Sequence, residues 1–268
     1  MKQVAVILSG SGVFDGAELH ESVLTLLAIE QEGATYTCFA PDVEQLHVVN
    51  HLTGEVSEGE TRNVLVESAR VARGDIKPVT ECDVNAFDTL IVPGGFGAAK
   101  NFCTFAVDGE NCSFNEDVLN VCKSFAQAKK PAAYACIAPV LAAKVYANHV
   151  KLTIGNDDGT ANGVNALGAS HVDCKVDEVV VDNDAKLVTT PAYMLAESVS
   201  QAHSSITKMV KTVLKMLEKR FSRSHLTRPV SEAGGGDGLS VSCRTKAIWS
   251  VISTLLDCNR FIVNVHNR

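Results

Sequence analysis

The sequence predicts an α/β domain over residues 1–220, a doubly wound, mostly parallel sheet with helices on both faces. Three observations predict it. Strand-like and helix-like segments alternate along the chain. The strand-like segments are continuous apolar runs, as in sheets covered on both faces. Glycine- and proline-rich turns follow several of these runs, at the carboxyl ends of strands, where such sheets gather functional groups.

Residues 4–8 (Val-Ala-Val-Ile-Leu) read as the first strand and Ser9-Gly10-Ser11-Gly12 as its turn. Apolar residues at 19, 23, 24, 26, 27 and 28 give 17–32 a helical period, which Gly33 ends. Thr35–Ala40 is the second strand, and a second helix over 59–73 carries Val64, Val66, Ala69 and Ala72. The buried strand 88–92 closes on Pro93-Gly94-Gly95, and a third helix spans 114–128. Ala132–Ala135 is the strand before Cys136, and Pro139 opens a helix over 140–146. Residues 179–182 and Leu187–Thr190 flank Asn183-Asp184-Ala185 as a hairpin, and 196–219 is a long amphipathic helix. The loops at 9–21, 93–101 and 136–139 belong to different strands and converge on one crevice.

Beyond residue 220 the alternation lapses. Gly234-Gly235-Gly236-Asp237-Gly238 is a flexible stretch and 243–268 shows no clear period, so 221–268 is expected to be a poorly ordered appendage.

The chain carries a net charge of −7; the last 48 residues hold six Lys/Arg against three Asp/Glu, which leaves −10 on residues 1–220. Such an acidic body argues against nucleic acid as a partner. No apolar run reaches the ~18 residues of a membrane span. Nine cysteines without CxxC pairs fit free thiols in a reducing compartment better than a zinc site or a disulfide framework. The chain enters its first strand directly after Met1-Lys2-Gln3, so the cytoplasm is the direct expectation, or the mitochondrion if a presequence is missing. There is no Walker motif, dinucleotide fingerprint or metal triad, and no cofactor or metal is expected.

Cys136 is the residue of most interest. A thiol on a sharp strand-to-helix turn, between the small residues Ala135 and Ala138, has the nucleophile-elbow arrangement. The helix that follows offers backbone N–H donors and partial positive charge, which favour thiolate. The competing reading is a buried core cysteine, the commonest state of a free thiol. Glu18 and Glu21 open the first helix, where acidic residues are favourable without any further role. His20 can titrate near neutral pH, yet successive helical residues point about 100° apart, so it need not share a site with Glu21.

Seven stretches carry a family resemblance. They are Val6-Ile7-Leu8-Ser9-Gly10, Glu18-Leu19-His20-Glu21, Asn50-His51-Leu52-Thr53-Gly54-Glu55, Thr61-Arg62-Asn63-Val64-Leu65, the run Ile91-Val92-Pro93-Gly94-Gly95-Phe96-Gly97-Ala98-Ala99-Lys100-Asn101, Cys136-Ile137-Ala138-Pro139, and Thr189-Thr190-Pro191-Ala192-Tyr193-Met194. Together, and in order from residue 3 to about 219, they resemble the ElbB-like branch (enhancing lycopene biosynthesis) of the PfpI-like class I glutamine amidotransferase superfamily; the tail lies outside the resemblance.

The resemblance implies a flavodoxin-like fold and a set of roles. Cys136 is the nucleophile and Glu21 its proton partner, with His20 beside it. The N–H groups of Gly95 and Ile137 form the oxyanion hole. Asn101, Pro191, Tyr193 and Asn156 shape the pocket, with Asn156 or Asp157 at the third triad position. His51 is a rim or dimer-interface residue, and the assembly is a homodimer. The pattern departs from many relatives at the triad histidine, absent from Leu152 to Asp158, and Pro191-Ala192-Tyr193 stands where glutamine hydrolysis needs a His/Glu pair. The implied activity is a cofactor-independent glyoxalase, converting glyoxal or methylglyoxal to hydroxy acids through a Cys136 hemithioacetal. The alternatives are a redox-sensing or binding protein using Cys136, and a deglycase of protein or nucleotide adducts.

Overall fold

A computed structural model describes residues 1–146 and 148–224. In chain order the elements are β1 (Gln3–Ile7), α1 (Leu19–Gln31), β2 (Thr35–Ala40), α2 (Val64–Val71), β3 (Ile76–Pro78), β4 (Thr89–Val92), α3 (Phe96–Lys100), α4 (Phe105–Asp108) and α5 (Glu116–Gln127). Then come β5 (Ala132–Ala135), α6 (Pro139–Tyr146), β6 (Lys151–Leu152), α7 (Asp158–Ala166), β7 (Ser170–His171), β8 (Val180–Asp182), β9 (Leu187–Thr190) and α8 (Val199–Ser224).

Seven strands form one sheet in the order β3-β2-β1-β4-β5-β9-β8. Every neighbouring pair is parallel except β8 on β9, the hairpin. The chain builds outward from β1 in one direction and from β4 in the other. The order therefore reverses between β1 and β4, and a crevice opens at their carboxyl ends.

Alternation along each strand divides its side chains between two cores. Ala5, Ile7, Leu90, Val92, Ala132, Tyr134 and Leu187 pack on one face, with Val118, Cys122 and Phe125 of α5 and Val140 and Leu141 of α6. Val4, Val6, Leu8, Ile91, Ala133, Ala135 and Val188 face the other way, against Leu26 and Ile29 of α1 and Ile206, Met209, Val210 and Val213 of α8. This double burial is the reason that the strands read as unbroken apolar runs.

Capping sets several boundaries. The second helix begins at Val64, later than its apolar pattern suggests, because the Asn63 side chain accepts the Val66 N–H (3.0 Å). Asn115 fixes the start of α5 in the same way through Val118 N–H (3.0 Å). The elements not foreseen, β3, α3, α4, β6, α7 and β7, are short or polar. α8 runs to Ser224, past the expected boundary at 220, and the remainder of the tail expected over 221–268 lies outside the described residues.

One buried amide staples the crevice wall. Asn101 Nδ2 donates to the carbonyls of Ser9 (2.8 Å) and Asp15 (2.9 Å), and its Oδ1 accepts the Leu46 N–H (3.0 Å). The side chain expected in the substrate pocket thus has its amide engaged with the loop after β1 and with the 41–49 segment. Asn101→Ala leaves these backbone groups without partners and is expected to cost roughly 2–4 kcal/mol. Urea unfolding checks this, and a variant as stable as the wild type contradicts the staple.

Candidate active site

Cys136 sits where β5 ends and the chain turns into α6. Its N–H donates to Thr190 O (2.9 Å) and Ala138 N–H donates to Ala135 O (2.9 Å), which closes the turn. The turn forces Cys136 to φ 58°, a left-handed conformation that costs a non-glycine residue about 1–3 kcal/mol. Such strain marks an elbow that the surrounding sheet over-determines. Cys136 is 7% exposed, at the carboxyl end of the sheet.

Two glycines after β4 make room for it. A Cβ on Gly94 would collide with Cys136 Cβ and lie 2.7 Å from Glu21 Oε2. Gly95 is at φ 99° and caps α3 with its backbone alone. The N–H groups of Gly95 and Ile137 both point at the Cys136 sulfur and pull its pKa down. One donor follows β4 and the other follows β5.

Glu21 enters from α1 and is fully buried. Its Oε2 accepts the Gly94 N–H (2.9 Å) and its Oε1 accepts the Tyr193 N–H (3.0 Å). Burial raises its pKa to about 7; the Glu18 charge adds to this, while the two backbone donors and Cys136 oppose it. Burial above all, and then the Glu21 charge, push the Cys136 thiol well above its ordinary value. The side chains are hydrogen-bonded to each other, so the pair holds a proton between sulfur and carboxylate. Glu18 has a structural task. Its Oε2 accepts the Glu21 N–H (2.6 Å) and caps α1.

At the mouth, His20 Nδ1 meets Tyr193 Oη (2.8 Å), with the rings 5.7 Å apart. The His20 side chain is half-exposed and turned to Tyr193, not to the thiol. Pro191 is buried at the start of a 3₁₀ turn over Ala192–Met194. Ala192 adopts φ 43°, and this second strained residue aims the Tyr193 N–H at Glu21. Its own N–H donates to Ser205 Oγ (3.2 Å). No sequence signal marks this role, because alanine has no left-handed preference and the donor is backbone.

Cys136, Glu21, Gly95 and Ile137 are thus brought together, with the Tyr193 amide behind Glu21. Asn156 is exposed, and Asp157 caps α7 through Thr160 N–H (2.7 Å), so neither side chain is engaged with the thiol. His51 braces the loop after β1: Nε2 accepts Phe14 N–H (3.2 Å) and Nδ1 donates to Val49 O (3.0 Å). Among the described residues no group of three or more His, Cys, Asp or Glu is placed to hold a metal, and no helix is long and apolar enough to cross a membrane.

No family model matches the chain. It is 47% identical over 226 residues to human glutamine amidotransferase-like class 1 domain-containing protein 3, mitochondrial, covering 81% of this chain and 84% of that protein. To the rat ES1 protein homolog, mitochondrial, it is 48% identical over 226 residues, covering 81% and 85%. Among solved structures, an isoprenoid biosynthesis protein with an amidotransferase-like domain from Ehrlichia chaffeensis is similar at TM-score 0.74 and 35% identity, over 80% of this chain and 99% of that one. Glyoxalase III of Candida albicans shares the fold at TM-score 0.53 and 12% identity, over 80% and 97%.

Two outcomes follow for this site. Gly94→Ala is expected to displace Cys136 or Glu21 and to slow alkylation of Cys136 by iodoacetamide; an unchanged rate contradicts the packing described. Glu21 makes stability depend on pH. Between about 4.5 and about 7 the folded chain keeps a proton that the unfolded chain releases, so stability falls as pH rises through that window. The full loss is on the order of 3 kcal/mol. Urea unfolding at several pH values should show this component in the wild type and not in Glu21→Gln.

Proposed function

Since the chain belongs to the ES1 family of class I glutamine amidotransferase-like proteins, we propose that it is a cofactor-independent glyoxalase acting on small dicarbonyls such as glyoxal and methylglyoxal. The observation that carries this reading is the buried Cys136–Glu21 pair with two backbone N–H groups aimed at the sulfur.

The steps follow from that geometry. Glu21 carboxylate takes the thiol proton as sulfur bonds to the aldehyde carbon. The Gly95 and Ile137 amides stabilise the oxygen that gains charge, a type of contact worth about 3 kcal/mol per donor. Glu21 returns a proton to that oxygen, which gives the hemithioacetal. As a carboxylate again, it removes the hydrogen from the sulfur-bearing carbon and delivers a proton to the neighbouring carbon, through an enediol, while the hemithioacetal hydroxyl proton passes to the neighbouring oxygen. The product is a hydroxyacyl thioester on Cys136. Water breaks its C–S bond, releasing the hydroxy acid and restoring the thiol. The whole adds one water to the dicarbonyl with no outside oxidant or reductant.

A pKa of about 7 suits a carboxyl that must both take and give a proton near neutrality. The lack of a His/Glu pair at Pro191-Ala192-Tyr193 speaks against glutamine hydrolysis despite the family name. The mitochondrial names of the mammalian relatives support that compartment for this chain too, ahead of the cytoplasm. A homodimer is the assembly that the resemblance favours.

The test is turnover of glyoxal and methylglyoxal by purified protein without glutathione. Activity is expected to rise with pH through about 7 as Glu21 ionises, to be lost in Cys136→Ala, and to fall ~100-fold or more in Glu21→Gln. A folded wild type without turnover sinks the proposal.

A further inference from the structure

A pair of thiols lies apart from Cys136. Cys103 follows α3 and Cys112 lies just before α5, and the chain doubles back between them. Cys103 faces Phe114 in an antiparallel bridge. Thr104 N–H donates to Ser113 O (3.0 Å) and Asn115 N–H to Phe102 O (2.8 Å). Bonds flanking the bridge in this way make it the narrow, non-hydrogen-bonded type, in which side chains come closest. Cys112 is extended and two residues before Phe114, so it lies diagonally from Cys103 on the same face, within reach of a side-chain contact. Each thiol perturbs the ionisation of the other, as groups in side-chain contact do.

We propose that Cys103 and Cys112 form a dithiol that a hydroperoxide converts to an intramolecular disulfide. The two sulfurs are fitted for different parts. Cys112 is half-buried and reachable from solvent, whereas Cys103 is 2% exposed. Burial above all pushes the Cys112 thiol up; the contact with Cys103 and the Lys144 ammonium, which lies over the Phe114 ring (5.7 Å to the centroid), oppose that rise. A cation and a donor beside a reachable thiol, with a second thiol behind it, is the arrangement of an attacking and a resolving cysteine.

Cys112 thiolate attacks one peroxide oxygen. The O–O bond breaks, Cys112 becomes a sulfenic acid, and the other oxygen leaves as water once protonated. Cys103 sulfur, which now donates to Ala98 O (3.4 Å), then attacks Cys112 sulfur. The S–O bond breaks, the S–S bond forms, and a second water leaves with the Cys103 proton. Two thiols lose two electrons and two protons, and hydrogen peroxide becomes two waters. The step rests on no reading of the chemistry at Cys136.

The test uses full-length wild type treated with hydrogen peroxide, blocked with iodoacetamide and digested without reduction. Residues 101–123 form one tryptic peptide, which also holds the buried Cys122 as an internal reference. The expected peptide carries iodoacetamide on Cys122 alone and has lost two hydrogens. Further cleavage after Asp108 or Glu110 leaves its halves joined. In Cys103→Ser, Cys112 is expected to persist as a sulfenic acid that dimedone labels. Halves that separate in wild type after Cys136 has been oxidised overturn the proposal, as does a link that uses Cys122 instead.

Discussion

A carboxyl group withdrawn wholly from water has to be hydrogen-bonded within the protein, and the crevice is arranged around that requirement at Glu21. Each of its oxygens takes one backbone N–H, one from the loop after β4 and one from the loop after β9. Leaving such a group unpaired costs several kcal/mol. The two loops and α1 are therefore tied to one side chain, and the tie encloses Cys136. Other features follow. Gly94 has no side chain because any Cβ there would strike the pair. Ala192 is held in a left-handed conformation so that the next N–H reaches the carboxylate. Glu18 turns back to cap the helix that presents Glu21.

Burial pushes both members of the pair upward, and this couples them. Ionising both at once would set two negative charges side by side in an apolar crevice. Passing one proton from sulfur to carboxylate leaves the net charge unchanged and largely escapes that penalty. The Gly95 and Ile137 amides tilt the transfer toward thiolate, since they already point at the sulfur. In the proposed reaction, reactivity comes from the pair and its donors. The lone-thiolate picture drawn from the helix N-terminus omits the larger effect, which is desolvation.

The fold was legible where burial on both faces wrote itself into composition. The central strands are unbroken apolar runs because their alternate residues belong to different cores. It was illegible where segments are very short, as with Ile76–Pro78 at the sheet edge, whose side chains are partly buried or exposed, and the two-residue strand Lys151–Leu152. For the site, residues that act through a side chain on a turn, such as Cys136, stood out. Groups that act through the backbone left little trace: the Tyr193 amide depends on a conformation that alanine does not advertise. Asn101 shows the converse. Its polar side chain beside a glycine loop suggested ligand contact, but its amide is engaged with the protein's own backbone.

The absence of a histidine from the stretch after Cys136 also acquires a physical meaning. A histidine offers a proton acceptor that titrates at about 6.5 without help from its surroundings. Asn156 and Asp157 do not supply one, being exposed and outside the thiol's contacts. A carboxyl in water titrates roughly two units too low for the same duty. Complete burial beside Glu18 brings Glu21 to about 7, while its two backbone donors keep it from rising further. Desolvation thus gives a glutamate the working range of an imidazole. Under the proposed mechanism the enclosure of Glu21 is therefore part of the chemistry as well as of the packing, and any change that lets water reach it removes the proton acceptor even with every side chain still in place.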